Sequence, residues 1–506
     1  MNYRDLKPEQ LRRIHTLGEL RAAGYQPRTI KKELRENLIV RMRRKEAVFP
    51  GIYGYEDTVI PDLERAILSM HNVNLLGLRG QAKTRLARMM IGLLDPLVPV
   101  IAGTELNDDP LQPLSRQGRD QLKEHGDDTP VGWLAREARY NEKLATPDVS
   151  VADLIGDVDP IKAATLKLPY SDERTIHYGL IPRSNRCIFV INELPDLQAR
   201  IQVALFNILQ EGDIQIRGFN LRLPLDIQFV FTANPEDYTN RGSIVTPLKD
   251  RIESQITTHY PKSIEIGKQI TRQEAHVKPE QERTIGVQEL IRDLNEQLAF
   301  EARENEYVDA NSGVSARLTI SAFENLLSAA ERRSLRNGDK ETHVRIADFA
   351  GVVPAITGKI ELVYEGEQEG PLIVAQNLIG KAIRTQFTQY FPDPEKAKKK
   401  RDKNPYKQII DWFGEGQTVD IMNDAGNQEY EKALRGVPGL EAVVKAHTKP
   451  ADRPALLLMM EFALHGLAEY SVLSKNRLER GLQFKDLLSS MFSFGDGDDD
   501  GDDDDA

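Results

Sequence analysis

The chain has one cysteine, Cys187. An intrachain disulfide and a multi-cysteine metal site are excluded, and a reducing, cytoplasmic setting is the simplest expectation. Its nine histidines show no metal-ligand spacing such as His-x-x-x-His. Tryptophan occurs twice, at Trp133 and Trp412, both read as packing residues. No run approaches the ~20 apolar residues of a membrane span; the richest, 455–460, is cut by Glu461. The opening Met1-Asn2-Tyr3-Arg4-Asp5 lacks the apolar stretch of a signal peptide. A surplus of positive charge is also missing, with 67 Lys and Arg against 78 Asp and Glu and a net charge of -11. Eight of the aspartates lie within 496–505, and without them the body carries -3. A strongly basic nucleic-acid coat protein is therefore not expected.

What remains is a chain of 506 residues, 40% hydrophobic and 29% charged. That is enough for roughly two to four domains with real cores. Residues 1–48 are polar and helical in pattern, with Leu11, Ile14, Leu17 and Leu20, then Ile30, Leu34 and Ile39, at helical spacing. Over 49–265, short apolar runs at 73–76, 97–102, 187–191 and 227–233 alternate with helical segments. That predicts an α/β domain, a parallel sheet between helices, with polar loops and short helices inserted between about 104 and 180. Residues 266–367 read as a helical domain, with Leu290, Ile291, Leu294 and Leu298 on one face and Leu318, Phe323, Leu326 and Leu327 on another. Residues 368–494 read as a second, all-helical region, divided by a basic run at 396–403 that a solvated loop explains better than a nucleic-acid contact. The last segment, 495–506, holds only Gly, Asp and Ala; it cannot bury apolar surface and is expected to be disordered.

The strongest chemical signal is Gly77-Leu78-Arg79-Gly80-Gln81-Ala82-Lys83-Thr84, after an apolar strand and before a helical run. Such a loop turns backbone N–H groups toward a polyphosphate. Lys83 is placed to neutralise the β and γ phosphates and Thr84 to ligate Mg²⁺. Gly77, Arg79, Gly80, Gln81, Ala82, Lys83 and Thr84 are thus the candidate nucleotide-binding residues. Ala82 stands where such loops usually have glycine, which is tolerable if the position avoids strongly positive φ. A plain glycine-rich turn with an exposed lysine is the alternative.

A second signal is Cys187-Ile188-Phe189-Val190-Ile191-Asn192-Glu193, a buried strand ending in Asn-Glu where phosphate-binding ATPases carry Asp-Glu. Glu193 is a candidate base for water activation. Asn192 would support the Mg²⁺ shell without the charge of an aspartate, so weaker metal retention is expected. A third apolar run delivers Asn234, before Pro235, to the sheet edge where ligands of such folds bind; there it could orient the attacking water, though Asn-Pro is also a turn starter. Arg251 and Arg317 are lone arginines with ordinary solvated readings.

The ordered set resembles the AAA+ ATPases, in the branch holding magnesium chelatase subunit I and the MoxR-type ATPases. The resemblance covers residues 49 to about 350. Arg79 is similar to the chelatase form of the loop and Ala82-Lys83 to the MoxR form. Leu106-Asn107-Asp108-Asp109-Pro110, Leu154-Ile155-Gly156-Asp157-Val158-Asp159 with Gly179-Leu180, the segment from Gln210-Glu211-Gly212 to Gly218, and Tyr238-Thr239-Asn240-Arg241-Gly242 followed by Pro247-Leu248-Lys249-Asp250-Arg251 complete it. The resemblance implies ATP and Mg²⁺ as cofactors, Glu193 as general base, Asn234 as first sensor, Arg251 as an arginine finger acting in trans and Arg317 as second sensor. It further implies a ring, expected to be a hexamer, and a von Willebrand factor A-domain protein partner. The function expected on this basis is an ATP-hydrolysing AAA+ motor that remodels or activates partner proteins. Two alternatives stay open: a genuine magnesium chelatase ATPase subunit, and a slowly hydrolysing, nucleotide-dependent assembly scaffold motivated by Asn192.

Overall fold

The structure, a computed structural model, describes residues 3–169, 172–211, 213, 214, 216, 223–235, 243–398, 404–478 and 481–487. The acidic tail, residues 399–403 of the basic run, the 238–242 segment and most of the 212–222 stretch lie outside them. The chain divides into two compact units, Met1–His259 and Tyr260–Ala506.

The first unit is built on strands β1 (Val73–Leu76), β2 (Leu97–Ile101), β3 (Val131–Ala135), β4 (Tyr140–Leu144), β5 (Cys187–Asn192), β6 (Ile227–Ala233) and β7 (Ser254–Thr257). Five of them form an all-parallel sheet in the order β7-β1-β6-β5-β4. Side chains alternate across it. Val73, Leu75, Ile188, Val190, Val230 and Ile256 face one core, and Phe189, Ile191, Phe229, Phe231 and Ala233 face the other. On the first face pack α2 (Ile30–Arg43), α3 (Val59–Leu68) and α4 (Lys83–Met89), through Leu34, Leu38, Leu63, Ile67 and Leu86. On the second packs α5 (Ala199–Glu211), through Ile201, Leu205 and Ile208. Two covered faces explain why β5 and β6 are buried along their whole length, with apolar residues interrupted in β6 only by the buried Gln228 and Thr232.

One expected sheet member lies elsewhere. The 97–102 run forms β2, which pairs antiparallel with β3, and neither belongs to the parallel sheet. The neighbour of β5 is instead β4, Tyr-Asn-Glu-Lys-Leu, partly exposed along its length. An edge strand covered incompletely needs no apolar run, so hydrophobicity alone points to the wrong segment.

The N-terminal helices are packed into this unit. Thr16 caps α1 (Leu17–Ala22), accepting from the Glu19 N–H at 3.3 Å while the Glu19 carboxylate accepts from the Thr16 N–H, a reciprocal capping box. Leu17 and Leu20 then close on Tyr25 and Val131. Trp133 packs beside them and donates its indole N–H to the Ile14 carbonyl at 3.0 Å. Cys187 is fully buried at the start of β5, and burial pushes its thiol up to about 11. A thiolate reagent at pH 8 is therefore expected to label native protein very slowly and unfolded protein fully; fast native labelling would contradict this placement.

The second unit contains α6 (Glu289–Glu304), α7 (Arg317–Asn337), α8 (Pro371–Tyr390) and α9 (Arg453–Glu469). The expected apolar faces of α6 and α7 are buried, and one hydrophobic cluster runs from Ile285 to Phe484. The C-terminal part is not all-helical as expected from the sequence. It carries an antiparallel sheet of β8 (Val419–Met422), β9 (Leu473–Leu478) and β10 (Gly481–Asp486), in the order β8-β10-β9. These strands are short, and their polar residues, such as Lys475 opposite Phe484, leave no apolar run to signal them. No helix among the described residues is long and apolar enough to cross a membrane.

Candidate functional site

In a parallel sheet all strands end on one edge, and ligands of such folds bind there. The loop between β1 and α4 lies at that edge beside the ends of β5 and β6. Gly77 is required by packing: a Cβ there would stand 2.0 Å from Thr258 Oγ1 and 2.3 Å from Gln81 Oε1. Gly80 has φ +72°. Gln81 is buried, and its side-chain oxygen accepts from Thr258 Oγ1 at 2.7 Å. Its side chain is thus spent on holding the loop to the end of β7. Tyr55 adds a second clamp, donating to the carbonyls of Gln81 at 2.9 Å and His259 at 2.8 Å. Arg79 is exposed on the loop.

Ala82 is left-handed, φ 55°, ψ 18°, so the position does require the positive φ that a glycine would adopt freely. A non-glycine residue there costs roughly 1–2 kcal/mol. Ala82→Gly is therefore expected to stabilise the first unit by roughly 0.5–1 kcal/mol, after subtracting about 0.4–1 kcal/mol for the added freedom of the unfolded chain. Urea unfolding followed by Cys187 labelling measures it, and a loss of stability would contradict the argument.

Lys83 and Thr84 begin α4, Lys83 turning back onto the loop and Thr84 toward the end of β5. The Lys83 ammonium donates to the Gly77 carbonyl, to the Leu78 carbonyl at 2.9 Å and to Asn234 Oδ1 at 2.6 Å. Asn234 follows β6 and is buried. Thr84 Oγ1 donates to Asn192 Oδ1 at 3.3 Å, and Thr232 Oγ1 donates to the same oxygen at 3.1 Å. The structure thus brings together Lys83 with Asn234 and Thr84 with Asn192. Glu193 comes directly after Asn192 with φ 55°, a conformation uncommon for a non-glycine residue and often found at working sites. Its N–H donates to Thr232 Oγ1 at 3.1 Å, which pins the turn.

Sequence reading missed the next group entirely. Asn192 Nδ2 donates to Glu142 Oε1 at 2.7 Å. Glu142 comes from β4 and also accepts from Arg88 Nε at 3.0 Å, Arg88 Nη2 at 3.1 Å and the Tyr140 hydroxyl at 3.0 Å. Partial burial raises its pKa, but the hydrogen bonds from Arg88, Tyr140 and Asn192 outweigh that and hold it below the usual carboxylate range. A carboxylate only accepts, so this contact also fixes which end of the Asn192 amide faces Thr84.

Arg251 is not part of this cluster, and Arg317 belongs to the second unit. Arg251 is engaged by its own chain, bonding Asp250 and Gln210 Oε1 (3.3 Å), with its guanidinium 4.8 Å from the Phe206 ring centre. Arg317 opens α7 of the second unit with its side chain exposed. Of the hairpin before β6, Asp213–Ile214 pairs antiparallel with Leu223–Pro224.

A hard divalent cation takes oxygen ligands. Thr84 and Asn192 offer a hydroxyl and an amide oxygen side by side, with a carboxylate behind them. Among the described residues, no group of three or more His, Cys, Asp or Glu could hold a metal ion. A hydroxyl and an amide oxygen are the hard-oxygen type of donor that suits Mg²⁺ sharing its shell with phosphate oxygens.

No protein-family model and no curated protein matches the chain. Solved structures do. The chain is similar to a candidate ATPase from Cytophaga hutchinsonii at 18% identity, covering 72% of this chain and 98% of that one, with a TM-score of 0.28. It is similar to NtrX from Brucella abortus at 13% identity, covering 69% and 66%, TM-score 0.36. It is also similar, at 18% identity over 63% of this chain and 98% of the other with a TM-score of 0.33, to a cryo-EM-based structure of the complex between subunits BchI and BchD of magnesium chelatase.

Proposed function

We propose that the first unit binds ATP with Mg²⁺ and hydrolyses it, and that the protein is an AAA+ motor of the magnesium chelatase subunit I and MoxR type. The observation that carries this reading is the double meeting at one sheet edge, Lys83 with Asn234 and Thr84 with Asn192. A phosphate-charge neutraliser, oxygen donors and a following glutamate come from the ends of the neighbouring strands β5 and β6 and from the first turn of α4.

In this reading Lys83 exchanges its carbonyl partners for the terminal phosphates, and Thr84 and Asn192 hold the cation or its water. Mg²⁺ held there would supply charge neutralisation to the phosphates. Glu193 takes the proton of the attacking water, and Asn234 orients that water. Arg251 serves a neighbouring copy in a ring, proposed to be a hexamer, where it must exchange its Asp250, Gln210 and Phe206 contacts for the phosphate. Arg317 acts as the second sensor, and the clients are protein partners, one of them carrying a von Willebrand factor A domain.

A fluorescent ATP analogue tests the first step. One-to-one, Mg²⁺-strengthened binding is expected, with assembly visible by sedimentation on nucleotide addition. Absence of any nucleotide binding would sink the reading. Asn192 favours one other reading, a nucleotide-dependent scaffold with slow turnover; the hydrolysis rates argued in the Discussion separate the two.

A further inference from the structure

Asn192 removes a negative charge from the place where the cation of a bound nucleotide would need one. The structure shows a carboxylate one strand away, joined to that amide. Glu142 sits on β4 opposite Val190 of β5, and its Oε1 receives the Asn192 Nδ2–H at 2.7 Å. The other end of the same amide faces Thr84. We propose that Glu142 is the displaced acid of this site, supplying through Asn192 the negative charge that retains the divalent cation. The inference rests on the nucleotide-binding reading above and deepens it.

Three features support it. First, Asn192 is a relay of fixed polarity: its oxygen accepts from Thr84 and Thr232, its nitrogen donates to Glu142, and the flipped amide would set its oxygen against a carboxylate. A carboxylate behind a ligating group makes that ligand a better donor, and removal of such a partner typically weakens metal binding about 10–100-fold. Second, Glu142 is fixed in place by Arg88 and Tyr140, which donate three hydrogen bonds to its carboxylate. Third, Arg88 lies one turn beyond Thr84 on α4, so the helix that carries the expected metal ligand also carries the clamp on the acid. Glu142 is thus a positioning residue: it acts on the cation through Asn192.

Arg88 also makes the test sharp, because it attenuates the charge that Glu142 supplies. If the Arg88–Glu142 pair matters only as a structural tie, Glu142→Gln and Arg88→Gln should harm the site alike. If the charge of Glu142 retains the cation, the two substitutions should act in opposite directions.

The experiment is a titration of the full chain, loaded with a non-hydrolysable ATP analogue, with Mn²⁺ followed by electron paramagnetic resonance. Nucleotide affinity is measured separately in EDTA. Glu142→Gln is expected to weaken Mn²⁺ about 10–100-fold with nucleotide affinity in EDTA kept. Arg88→Gln is expected to tighten Mn²⁺. The pair Asn192→Asp with Glu142→Gln, which moves the charge back to position 192, is expected to restore it, and that rescue guards against a folding defect in the single variant. Unchanged Mn²⁺ affinity in Glu142→Gln, or equal weakening in both single variants, would overturn the proposal while leaving the nucleotide site standing. Wild-type protein that binds no nucleotide would overturn the underlying reading, and this inference with it.

Discussion

Lys83→Ala is expected to lower ATP turnover by at least about 10²–10³, the usual loss when one charge-stabilising donor is removed from an active centre, and to weaken ATP binding as well. The lysine meets two loop carbonyls and Asn234 at a single point, so its cation is already held at the loop, and binding a phosphate chain requires only that it exchange its carbonyl partners. Glu193→Gln makes the complementary case. It leaves the loop intact and is expected to keep ATP binding while turnover falls about 10²–10⁴, the range for loss of a general base. Steady-state phosphate release for wild type and both variants decides between motor and scaffold. Turnover sensitive to both residues removes the scaffold reading. A low rate that neither substitution changes would remove the motor.

The loop, its lysine and the strands ending in Asn192 and Asn234 were legible because each joins a chemical signature to a buried apolar run. The two faces of the parallel sheet were legible for the same reason: Cys187 to Ile191 and Ile227 to Ala233 have no solvated face. What escaped was whatever lacks such a run. Glu142 sits in a polar edge strand that hydrophobicity cannot distinguish from a loop, and its meeting with Asn192 depends on sheet order, which no local pattern encodes. The run at 97–102 was apolar enough to pass for a central strand, yet its partner is β3. The left-handed backbone of Ala82 and Glu193 was invisible because neither residue type announces positive φ. The N-terminal helices were legible as helices from their apolar spacing, and Ile30, Leu34 and Leu38 join the core of the first unit, but the buried polar network that also ties them to it has no periodic signature.

That network yields the largest expected effect on stability. Arg139 and Glu33 pair through two hydrogen bonds of 2.8 and 2.7 Å with side-chain exposures of 1% and 3%. Arg139 Nε donates to the Arg186 carbonyl at 2.9 Å, and Glu33 Oε1 also accepts the Asp95 N–H at 2.7 Å. Nearby, Arg186 pairs with Asp109 at 3.3 Å and donates to the Tyr25 hydroxyl at 3.1 Å. The pair ties α2 to the strand that carries Glu142, because Arg139 immediately precedes β4. Removing one member strands a charge in the interior, which typically costs about 3–5 kcal/mol, whereas replacing both by apolar groups of similar size is often neutral. Arg139→Met alone is therefore expected to destabilise the first unit by that amount, and Arg139→Met with Glu33→Leu to recover most of it. Urea-dependent labelling of Cys187 reports on this unit alone, since the only thiol of the chain lies in β5. A loss below about 1 kcal/mol in the single variant would place the pair in a solvated environment. A double variant as unstable as the single one would mean that the ion pair, and not merely the absence of an orphaned charge, holds the N-terminal helix against the sheet.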